Sequence, residues 1–397
     1  MPQLSNRLNR LSPSATLAMS QKSSDLQAQG VDVINLSVGE PDFNTPMHIK
    51  EAAIQAIQND FSRYTPIAGY ADLRKAIVRK LQQENALDYT PDEIVVSNGA
   101  KQAVCNAILA LVDDGDEVII PAPYWVSYPQ MVKLAGGEPV VVNTSFEQSF
   151  KMTTEQLEAA ITPQTKMLIL CSPCNPTGCV YTQEELQALA EVVMRHDDVF
   201  VLSDEIYEHI NYVGGHVSIA RVKGMKERTI LINGVSKAYA MTGWRIGYSA
   251  SPLWLAQGIN KLQGQYTSGA CSISQKAAED AYTNAQVCVT MMRDSFERRR
   301  NLIVELTKEI PEMEVNVPDG AFYLFPRCSW FYGKSDGQRT VSNASELAMY
   351  LLEEAHVATV GGDAFGNPDC IRMSYATSEQ NIREAMKRIK QTLARLR

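Results

Sequence analysis

The middle of the chain alternates short apolar, β-branched runs with longer segments of helical periodicity. Segments such as 100–112 and 182–196 place apolar residues three and four positions apart, as amphipathic helices do. Between such segments lie the strand-like runs EIVVS (93–97), EVIIP (117–121), PVVVN (139–143), MLILC (167–171), VFVLS (199–203), TILIN (229–233) and RIGYS (245–249). This alternation predicts an α/β fold with a mostly parallel seven-stranded sheet flanked by helices.

The pattern changes after about residue 290. A long charged helical segment is followed by a glycine-turned strand, a second helix, short strands and a terminal helix, which is typical of a smaller α+β domain. The segment VINLSVGEPDF (33–43) precedes the helix that opens the sheet domain, and we expect it to join the smaller one. The predicted units are an N-terminal arm over 1–15, a discontinuous small domain over 16–45 and 290–397, and a large domain over 46–289.

Composition and charge narrow the function classes. The 397 residues are 45% hydrophobic and 21% charged, as in ordinary globular proteins. The net charge of −8 argues against a general binder of nucleic acid or anionic membranes. No apolar run is long enough to span a bilayer, and the first residues lack the apolar core of a signal peptide. We therefore expect a cytoplasmic protein with no nucleic-acid or membrane partner.

The stretch CSPCNPTGC (171–179) places three of the eight cysteines within nine residues. A structural zinc site needs four ligands, and the sequence has no second C-x-x-C or H-x-x-x-H. A redox C-x-x-C should open a helix, whereas Pro173 and Pro176 interrupt this one. We predict no metal site, although a non-enzymatic C-x-x-C metal or redox protein remains an alternative at this point.

Polar residues follow the predicted strands at their carboxyl ends, where open α/β sheets bind ligands. These residues are Gly99, Ala100 and Lys101, then Trp125, Asn175, Asp204, Tyr207, Ser236 and Lys237. Each one alone has a structural explanation: Asp204 as a helix cap, Asn175 as a turn, Trp125 as core. Their joint placement at one edge predicts a binding crevice, in which a glycine at a strand-to-helix turn suits a phosphate.

A lysine nucleophile that forms an imine needs a carbonyl partner, which pyridoxal 5'-phosphate supplies as an aldehyde. With that cofactor the other residues acquire roles. Asp204 would keep the pyridine nitrogen protonated, Tyr207 and Asn175 would donate to the phenolic oxygen, and Trp125 would stack on the ring. The N–H groups of 99–101 and the Arg245 guanidinium would bind the phosphate.

The segment GVSKAYAMTGWRIG (234–247) resembles the lysine signature of class I, fold type I, pyridoxal-phosphate-dependent aminotransferases. Other blocks of that family are similar to SVGEPDF, SRYTPIAG, SNGAKQA, PYWVSYP, SPCNPTG, SDEIYE, GAFYLF and IRMSYA, in order along nearly the whole chain. The sequence is most similar to the bacterial and archaeal subgroup of aspartate aminotransferases.

The resemblance implies a role for each matching residue. Lys237 matches the Schiff-base lysine, and Asp204, Tyr207, Asn175, Trp125 and Arg245 match cofactor ligands. Arg372 matches the arginine that binds the substrate α-carboxylate, and Gly39 matches the backbone position beside it. Tyr64 matches a tyrosine that reaches the phosphate from the neighbouring subunit, which implies a homodimer with shared sites. Gly234 is a departure, because some relatives carry a phosphate-binding serine there; Ser236 is the candidate replacement.

The subgroup binds the distal carboxylate of a dicarboxylic substrate with a lysine and a threonine that match Lys101 and Thr16. The stretch QYTSGACSIS (265–274) lacks the arginine that other aspartate aminotransferases draw from the neighbouring subunit. We therefore expect ping-pong transfer from L-aspartate to 2-oxoglutarate. Relatives that accept prephenate carry a basic residue before the position of Pro13, where this chain has Ser12. Aromatic, alanine or prephenate specificity, or a β-lyase or decarboxylase on the same fold, are the alternatives.

Overall fold

A seven-stranded sheet forms the centre of the computed structural model, which describes residues 4–284 and 286–397. Residues 1–3 of the predicted N-terminal arm lie outside these ranges. The strands between residues 94 and 250 form the seven-stranded sheet, and the other described strands lie in smaller sheets. In chain order the strands are β1 (Ile34–Asn35), β2 (Ile94–Asn98), β3 (Glu117–Ala122), β4 (Glu138–Asn143), β5 (Thr165–Cys171), β6 (Phe200–Asp204), β7 (Thr229–Gly234), β8 (Ile246–Ala250), β9 (Tyr323–Leu324), β10 (Lys334–Ser335), β11 (Thr340–Val341), β12 (Val357–Ala358), β13 (Val360–Gly361) and β14 (Ile371–Ser374).

Helices cover the sheet, and further helices lie in the N-terminal and C-terminal parts of the chain. They are α1 (Asn6–Asn9), α2 (Ala15–Ala28), α3 (Met47–Gln58), α4 (Ala71–Asn85), α5 (Ala100–Leu111), α6 (Tyr128–Ala135), α7 (Thr154–Ala160), α8 (Gln183–Val193), α9 (Leu253–Tyr266), α10 (Ser272–Thr283), α11 (Val287–Lys308), α12 (Ala344–Glu354) and α13 (Glu379–Leu393). None of these described helices is both long and apolar enough to cross a membrane.

The central sheet has the strand order β2-β8-β7-β6-β5-β3-β4. All of its pairs are parallel except those of β8, which runs antiparallel to both β2 and β7. Every strand predicted from the middle of the sequence is present, so the mostly parallel seven-stranded sheet is confirmed. Strands β7 and β8 are buried along their full length, which explains why they read as apolar runs rather than as alternating patterns.

Successive residues of each strand pack against helices on opposite faces of the sheet. Leu202 of β6 joins Val104 of α5 and Ile259 of α9 in one core, whereas the preceding Val201 joins Leu189 of α8 in another. This alternation follows from the two-residue period of a strand. The carboxyl edge of the sheet remains open between the two helical layers.

The C-terminal part of the chain builds a second core around α11, α12 and α13, with β13-β14-β9 as a short antiparallel sheet. Strand β1 pairs with β12 in parallel, so the segment before residue 46 packs against this unit. Because of this pairing, we propose that residues 16–45 and 290–397 together form the small domain. Helix α11 runs without interruption across the limit at residue 290.

A buried ion pair fixes the loop after β6 to α4. Lys80 and Glu208 are 3% and 5% exposed, and their side chains are in contact. Asn85 bridges them, since its Oδ1 accepts from Lys80 Nζ at 2.7 Å and its Nδ2 donates to Glu208 Oε2 at 2.7 Å. Burial opposes ionisation of Glu208, but the Lys80 ammonium holds the pKa of this carboxyl well below its usual range.

We expect Lys80→Ala to lower the free energy of unfolding by about 3–5 kcal/mol, because it leaves a buried carboxylate without its charge partner. Urea unfolding at neutral pH, followed by circular dichroism, measures the change. Lys75→Ala is the matched control on the same helix, since the Lys75–Asp72 pair is exposed and 3.8 Å apart. Its loss should cost less than about 1 kcal/mol; equal effects of the two substitutions would contradict the importance of the buried pair.

Candidate active site

A cavity of about 430 Å³ opens at the carboxyl edge of the sheet, between the ends of β5, β6 and β7 and the segment 37–40. Most of the residues predicted from the sequence line it. They are Thr16, Gly39, Ala100, Lys101, Trp125, Asn175, Asp204, Tyr207, Ser236, Lys237, Arg245 and Arg372. Gly99 lies just outside the lining, beside Arg245, and Tyr64 lies elsewhere on the surface.

Lys237 projects into the cavity from the turn after β7. Its Nζ donates to the carbonyl oxygen of Gly39 at 2.6 Å, and it lies 5.8 Å from the centroid of the Tyr207 ring. Burial lowers the pKa of Lys237 to about 8, and the positive charges of Arg372 and Arg245 add to this effect. The amine loses its proton more readily than an ordinary lysine does, as a nucleophile or base requires.

Asp204 ends β6 and is 5% exposed. Its Oδ2 accepts from the Tyr128 hydroxyl at 2.6 Å, and its Oδ1 accepts from the Ile206 N–H at 3.3 Å. Burial raises the pKa of Asp204 to about 6, although both hydrogen bonds act in the opposite direction. A cationic ring nitrogen placed at the open side of this carboxylate would favour its ionised form.

Tyr128 and Tyr323 belong to the site but were not singled out in the sequence. Tyr128 begins α6 and packs edge-on against Trp125 with ring centroids 5.3 Å apart. The Tyr323 hydroxyl lies 2.7 Å from that of Tyr207, and burial raises the pKa of both phenols. Tyr323 lies within the block GAFYLF, but its hydroxyl contact with Tyr207 depends on how β9 packs across the cavity. Tyr128 likewise lies within the block PYWVSYP, but its hydrogen bond to Asp204 depends on how α6 packs against the end of β6.

Arg372 is a buried cation that has no carboxylate partner among residues 4–284 and 286–397. It is 2% exposed, and its guanidinium donates to Asn175 Oδ1 at 3.0 Å and to the Ser37 carbonyl at 2.6 Å. Its Nε is buried without a hydrogen-bond partner. It also lies 4.6 Å from the centroid of the Tyr323 ring. The charge of this guanidinium is not neutralised within the described residues, and its planar N–H groups suit the binding of an incoming carboxylate.

A second candidate site for an anion lies where α5 begins. Gly99 precedes this helix with φ +82°, and a β-carbon there would collide with the Arg245 guanidinium. Among the residues that the structure describes, Arg245 donates to two backbone carbonyls, those of Thr242 at 2.9 Å and Asn98 at 3.2 Å. The helix N-terminus and this cation converge on one point, as phosphate binding requires.

The glycine that departs from the family pattern has a steric explanation. A β-carbon at Gly234 would lie 2.7 Å from the Ile246 carbonyl oxygen and 2.8 Å from the Gly247 α-carbon. A serine at this position would push β7 away from β8. Ser236 is the nearest hydroxyl after this glycine that lines the cavity.

The donor set as a whole fits pyridoxal 5'-phosphate. Lys237 has a lowered pKa, Asp204 is a buried carboxylate, and the Arg245 guanidinium lies beside Gly99 at the N-terminus of α5, an arrangement that would suit a phosphate. Lys101 lies at the mouth with its Nζ 5.0 Å from the centroid of the Trp125 ring. Partial burial, and then the charge of Arg245, lower the pKa of Lys101. The Thr16 hydroxyl lies 2.9 Å from that of Ser14.

Comparison with known proteins agrees with this geometry. The family model described as aminotransferase class I and II matches residues 31–389. The bifunctional aspartate aminotransferase and glutamate/aspartate-prephenate aminotransferase of Petunia hybrida is 49% identical, over 99% of this chain and 83% of its own. The aspartate aminotransferase of Geobacillus stearothermophilus is 49% identical, over 97% of this chain and 98% of its own. The crystal structure of aspartate aminotransferase from Rhizobium meliloti superposes with a TM-score of 0.97 at 43% identity, covering 100% of both chains.

Tyr128→Phe should weaken cofactor retention at mildly acidic pH. The Tyr128 hydroxyl stabilises the Asp204 carboxylate through a hydrogen bond. Removal of this hydroxyl should therefore raise the pKa of Asp204, which is about 6 with Tyr128 present. The carboxylate is lost as pH falls through this pKa, and the pH at which half of the cofactor is retained should rise by about one unit. Equilibrium dialysis between pH 5 and 8 measures that midpoint.

Tyr124→Phe is the matched control, because the Tyr124 ring lies against Gly366 rather than against Asp204. Its midpoint should equal that of the wild type. An unchanged midpoint for Tyr128→Phe would show that the hydroxyl does not tune Asp204.

Proposed function

This chain belongs to the class I and II aminotransferases, and we propose that it is an aspartate aminotransferase that transfers the amino group of L-aspartate to 2-oxoglutarate, giving oxaloacetate and L-glutamate. One observation carries the substrate assignment. Arg372 and Lys101 line the same cavity, and neither forms an ion pair within the part of the chain that the structure describes. A dicarboxylic amino acid has one carboxylate for each of these cations.

The cofactor of this family is pyridoxal 5'-phosphate, whose protonated ring, when bound, withdraws electrons and stabilises negative charge at the substrate Cα. In our proposal Lys237 would hold its aldehyde carbon, Asp204 would face its ring nitrogen, and Trp125 would cover one ring face. Tyr207 and Asn175 would donate to its phenolic oxygen. Its phosphate would be bound by Gly99, Ala100, Lys101, Ser236 and Arg245.

Lys237 is the proton carrier in this proposal. A neutral amine at Nζ can remove the proton from the substrate Cα and hold it for return at a neighbouring carbon. Its lowered pKa, about 8, keeps part of the population neutral at the start of the step. The hydrogen bond from Nζ to the Gly39 carbonyl shows that the amine reaches the wall where the α-carboxylate would bind.

The substrate would bind with its two ends against different elements. Arg372 would grip the α-carboxylate through two N–H groups, with Asn175 and Gly39 beside it. Lys101 and Thr16 would bind the distal carboxylate at the cavity mouth. Because one cavity serves both the amino acid and the 2-oxo acid, the two must bind in turn, and ping-pong kinetics should result.

Prephenate is a second candidate for the amino acceptor, because the name of the Petunia relative includes prephenate aminotransferase activity. Ser12 occupies the position before Pro13 at which we expect relatives that accept prephenate to carry a basic residue. Here its backbone N–H donates to Gln130 Oε1 at 2.9 Å, and its side chain adds no positive charge near the site. We therefore rank prephenate below 2-oxoglutarate.

We also propose a homodimer with shared sites. Tyr64 is 100% exposed on the single chain, although its family counterpart contacts the phosphate of the neighbouring subunit. Helix α3 also exposes Met47, Ile54 and Ile57, each by 49% or more. An apolar helix face of this kind favours burial against a second copy.

A cytoplasmic location is our further proposal, supported by the eight cysteines, all of which are free thiols.

Lys101→Met should lower kcat/KM for aspartate and glutamate by about tenfold or more, because a charge-assisted contact to the distal carboxylate is lost. The value for alanine should stay unchanged, since alanine has no such group. The test adds aspartate, glutamate, alanine or phenylalanine to the cofactor-loaded protein without a 2-oxo acid and follows the visible absorbance of the cofactor.

Lys133→Met provides the control, as this cation lies on α6 outside the cavity lining. A wild-type protein that responds best to phenylalanine or alanine would remain an aminotransferase but not one for aspartate. Repeated turnover without any 2-oxo acid would instead indicate a β-lyase or decarboxylase.

Mixing two inactive variants tests the shared site. Chains with Tyr64→Ala and chains with Lys237→Ala, re-equilibrated one to one, should regain activity in about a quarter of all sites, because each mixed dimer contains one intact site. The control mixture of Lys237→Ala with Asp204→Ala should regain none, since both residues come from the same chain. Equal results for the two mixtures would contradict a shared site.

A further inference from the structure

Three cysteines gather on the loop that carries Asn175. Cys171 ends β5 and lines the active-site cavity, whereas Cys174 and Cys179 are 6% and 7% exposed. All three also line a small adjoining cavity of about 20 Å³. The reaction proposed above uses Asn175 but none of these thiols, so their clustering calls for a separate explanation.

Cys174 and Cys179 face each other across a tight chain reversal. The N–H of Cys174 donates to the carbonyl of Cys179 at 3.0 Å, and the N–H of Gly178 donates to the carbonyl of Cys174 at 2.8 Å. Both side chains line the same small cavity, so this backbone bond holds the two residues side by side. A disulfide spans α-carbons about 4.4–6.8 Å apart. Two residues joined by a backbone hydrogen bond of 3.0 Å lie near that range, and we expect the two sulfurs to join without unfolding of the loop.

The two thiols also differ in acidity. A hydrogen bond from the Cys174 side chain lowers the pKa of Cys179 despite the burial of this thiol, and the charge of Lys151 contributes in the same direction. Hydrogen bonding to Cys171 and Cys179, together with burial, raises the pKa of Cys174. Cys179 is thus the thiol of the pair that ionises more readily and would attack first. Cys174 is the neighbouring thiol that can then react with the oxidised sulfur, because it lies across the same turn.

We propose that Cys174 and Cys179 are a redox pair that hydrogen peroxide converts to a disulfide, and that this lowers the transaminase activity. The Cys179 thiolate attacks one peroxide oxygen, the O–O bond breaks, and the departing hydroxide takes up a proton as water. The sulfenic acid left on Cys179 is attacked by the Cys174 sulfur, which loses its proton. The S–O bond breaks and a second water leaves, so two thiols supply the two electrons that reduce the peroxide.

We expect disulfide formation to displace the part of the loop that faces the active site, because the Gly178 side of the loop is held against residues 318–320. The Gly178 carbonyl accepts the N–H groups of Asp319 and Gly320, both at 2.9 Å. A β-carbon at Gly178 would lie 2.5 Å from Pro318, so the backbone is already in close contact there. Asn175, next to Cys174, therefore takes up the displacement and moves relative to the Arg372 guanidinium, to which it is bonded at 3.0 Å.

The experiment treats the cofactor-loaded protein with increasing hydrogen peroxide, blocks the remaining thiols by alkylation, and digests it with trypsin. The peptide Met167–Arg195 contains Cys171, Cys174 and Cys179 and no other cysteine. It should lose the mass of two hydrogen atoms and escape alkylation at two sites, and dithiothreitol should reverse both changes. Cys328 is the internal control: burial raises its pKa to about 12, so it should stay reduced at the same dose.

Matched variants identify the pair. Cys174→Ala and Cys179→Ala should each abolish the mass loss and make activity resistant to peroxide, whereas Cys171→Ala should still lose two hydrogens. A mass loss that persists without Cys174, or that requires Cys171, would overturn the assignment. Disulfide formation with undiminished activity would overturn the coupling to Asn175.

The effect on activity rests on the proposed function, but the mass change does not. If the protein fails to transaminate aspartate and the peptide still loses two hydrogens, the proposed function fails and the thiol pair stands. If aspartate is transaminated and the peptide never changes mass, the redox pair is wrong and the proposed function is unaffected.

Discussion

The parallel alignment of β5, β6 and β7 is the constraint on which the active site depends. Cys171 at the end of β5 is in register with Asp204 at the end of β6, and Asp204 is in register with Ile232 of β7. Parallel strands end at the same edge, so the chain emerging from each one meets the others there. The loops that follow therefore bring Asn175, Tyr207 and Lys237 to one cavity, although more than sixty positions separate the first from the last.

The electrostatics of this cavity favour bound anions. Burial lowers the pKa of Lys237 and raises that of Asp204, since both groups lose hydration and are pushed toward their neutral forms. Arg245 and Arg372 donate to carbonyl and amide oxygens instead of carboxylates within the described ranges. A phosphate and a substrate carboxylate would supply the missing negative charges and so offset the cost of burying these cations.

Asn175 is where the two cores of the molecule meet. It follows the central sheet, yet its Oδ1 accepts from Arg372 on β14, whose guanidinium also donates to Ser37 after β1. Movement of the loop after β5 would therefore displace Arg372, which lies on β14 in the C-terminal part of the chain. In our proposal the thiol pair in this turn acts on Arg372 through Asn175.

The sequence by itself determined the class of the fold, because runs of apolar, β-branched residues buried on both faces have few other uses. It also determined most of the site, since strand ends can be located from pattern alone and the carboxyl edge of a sheet is a fixed place. Only the tertiary structure decided which side chains act across elements. Tyr128 reaches Asp204 from a helix, and Tyr323 meets Tyr207 from another sheet. Arg372 is buried and donates to Asn175 and Ser37, which lie far from it in the sequence. These contacts depend on how distant segments pack, which local periodicity does not encode.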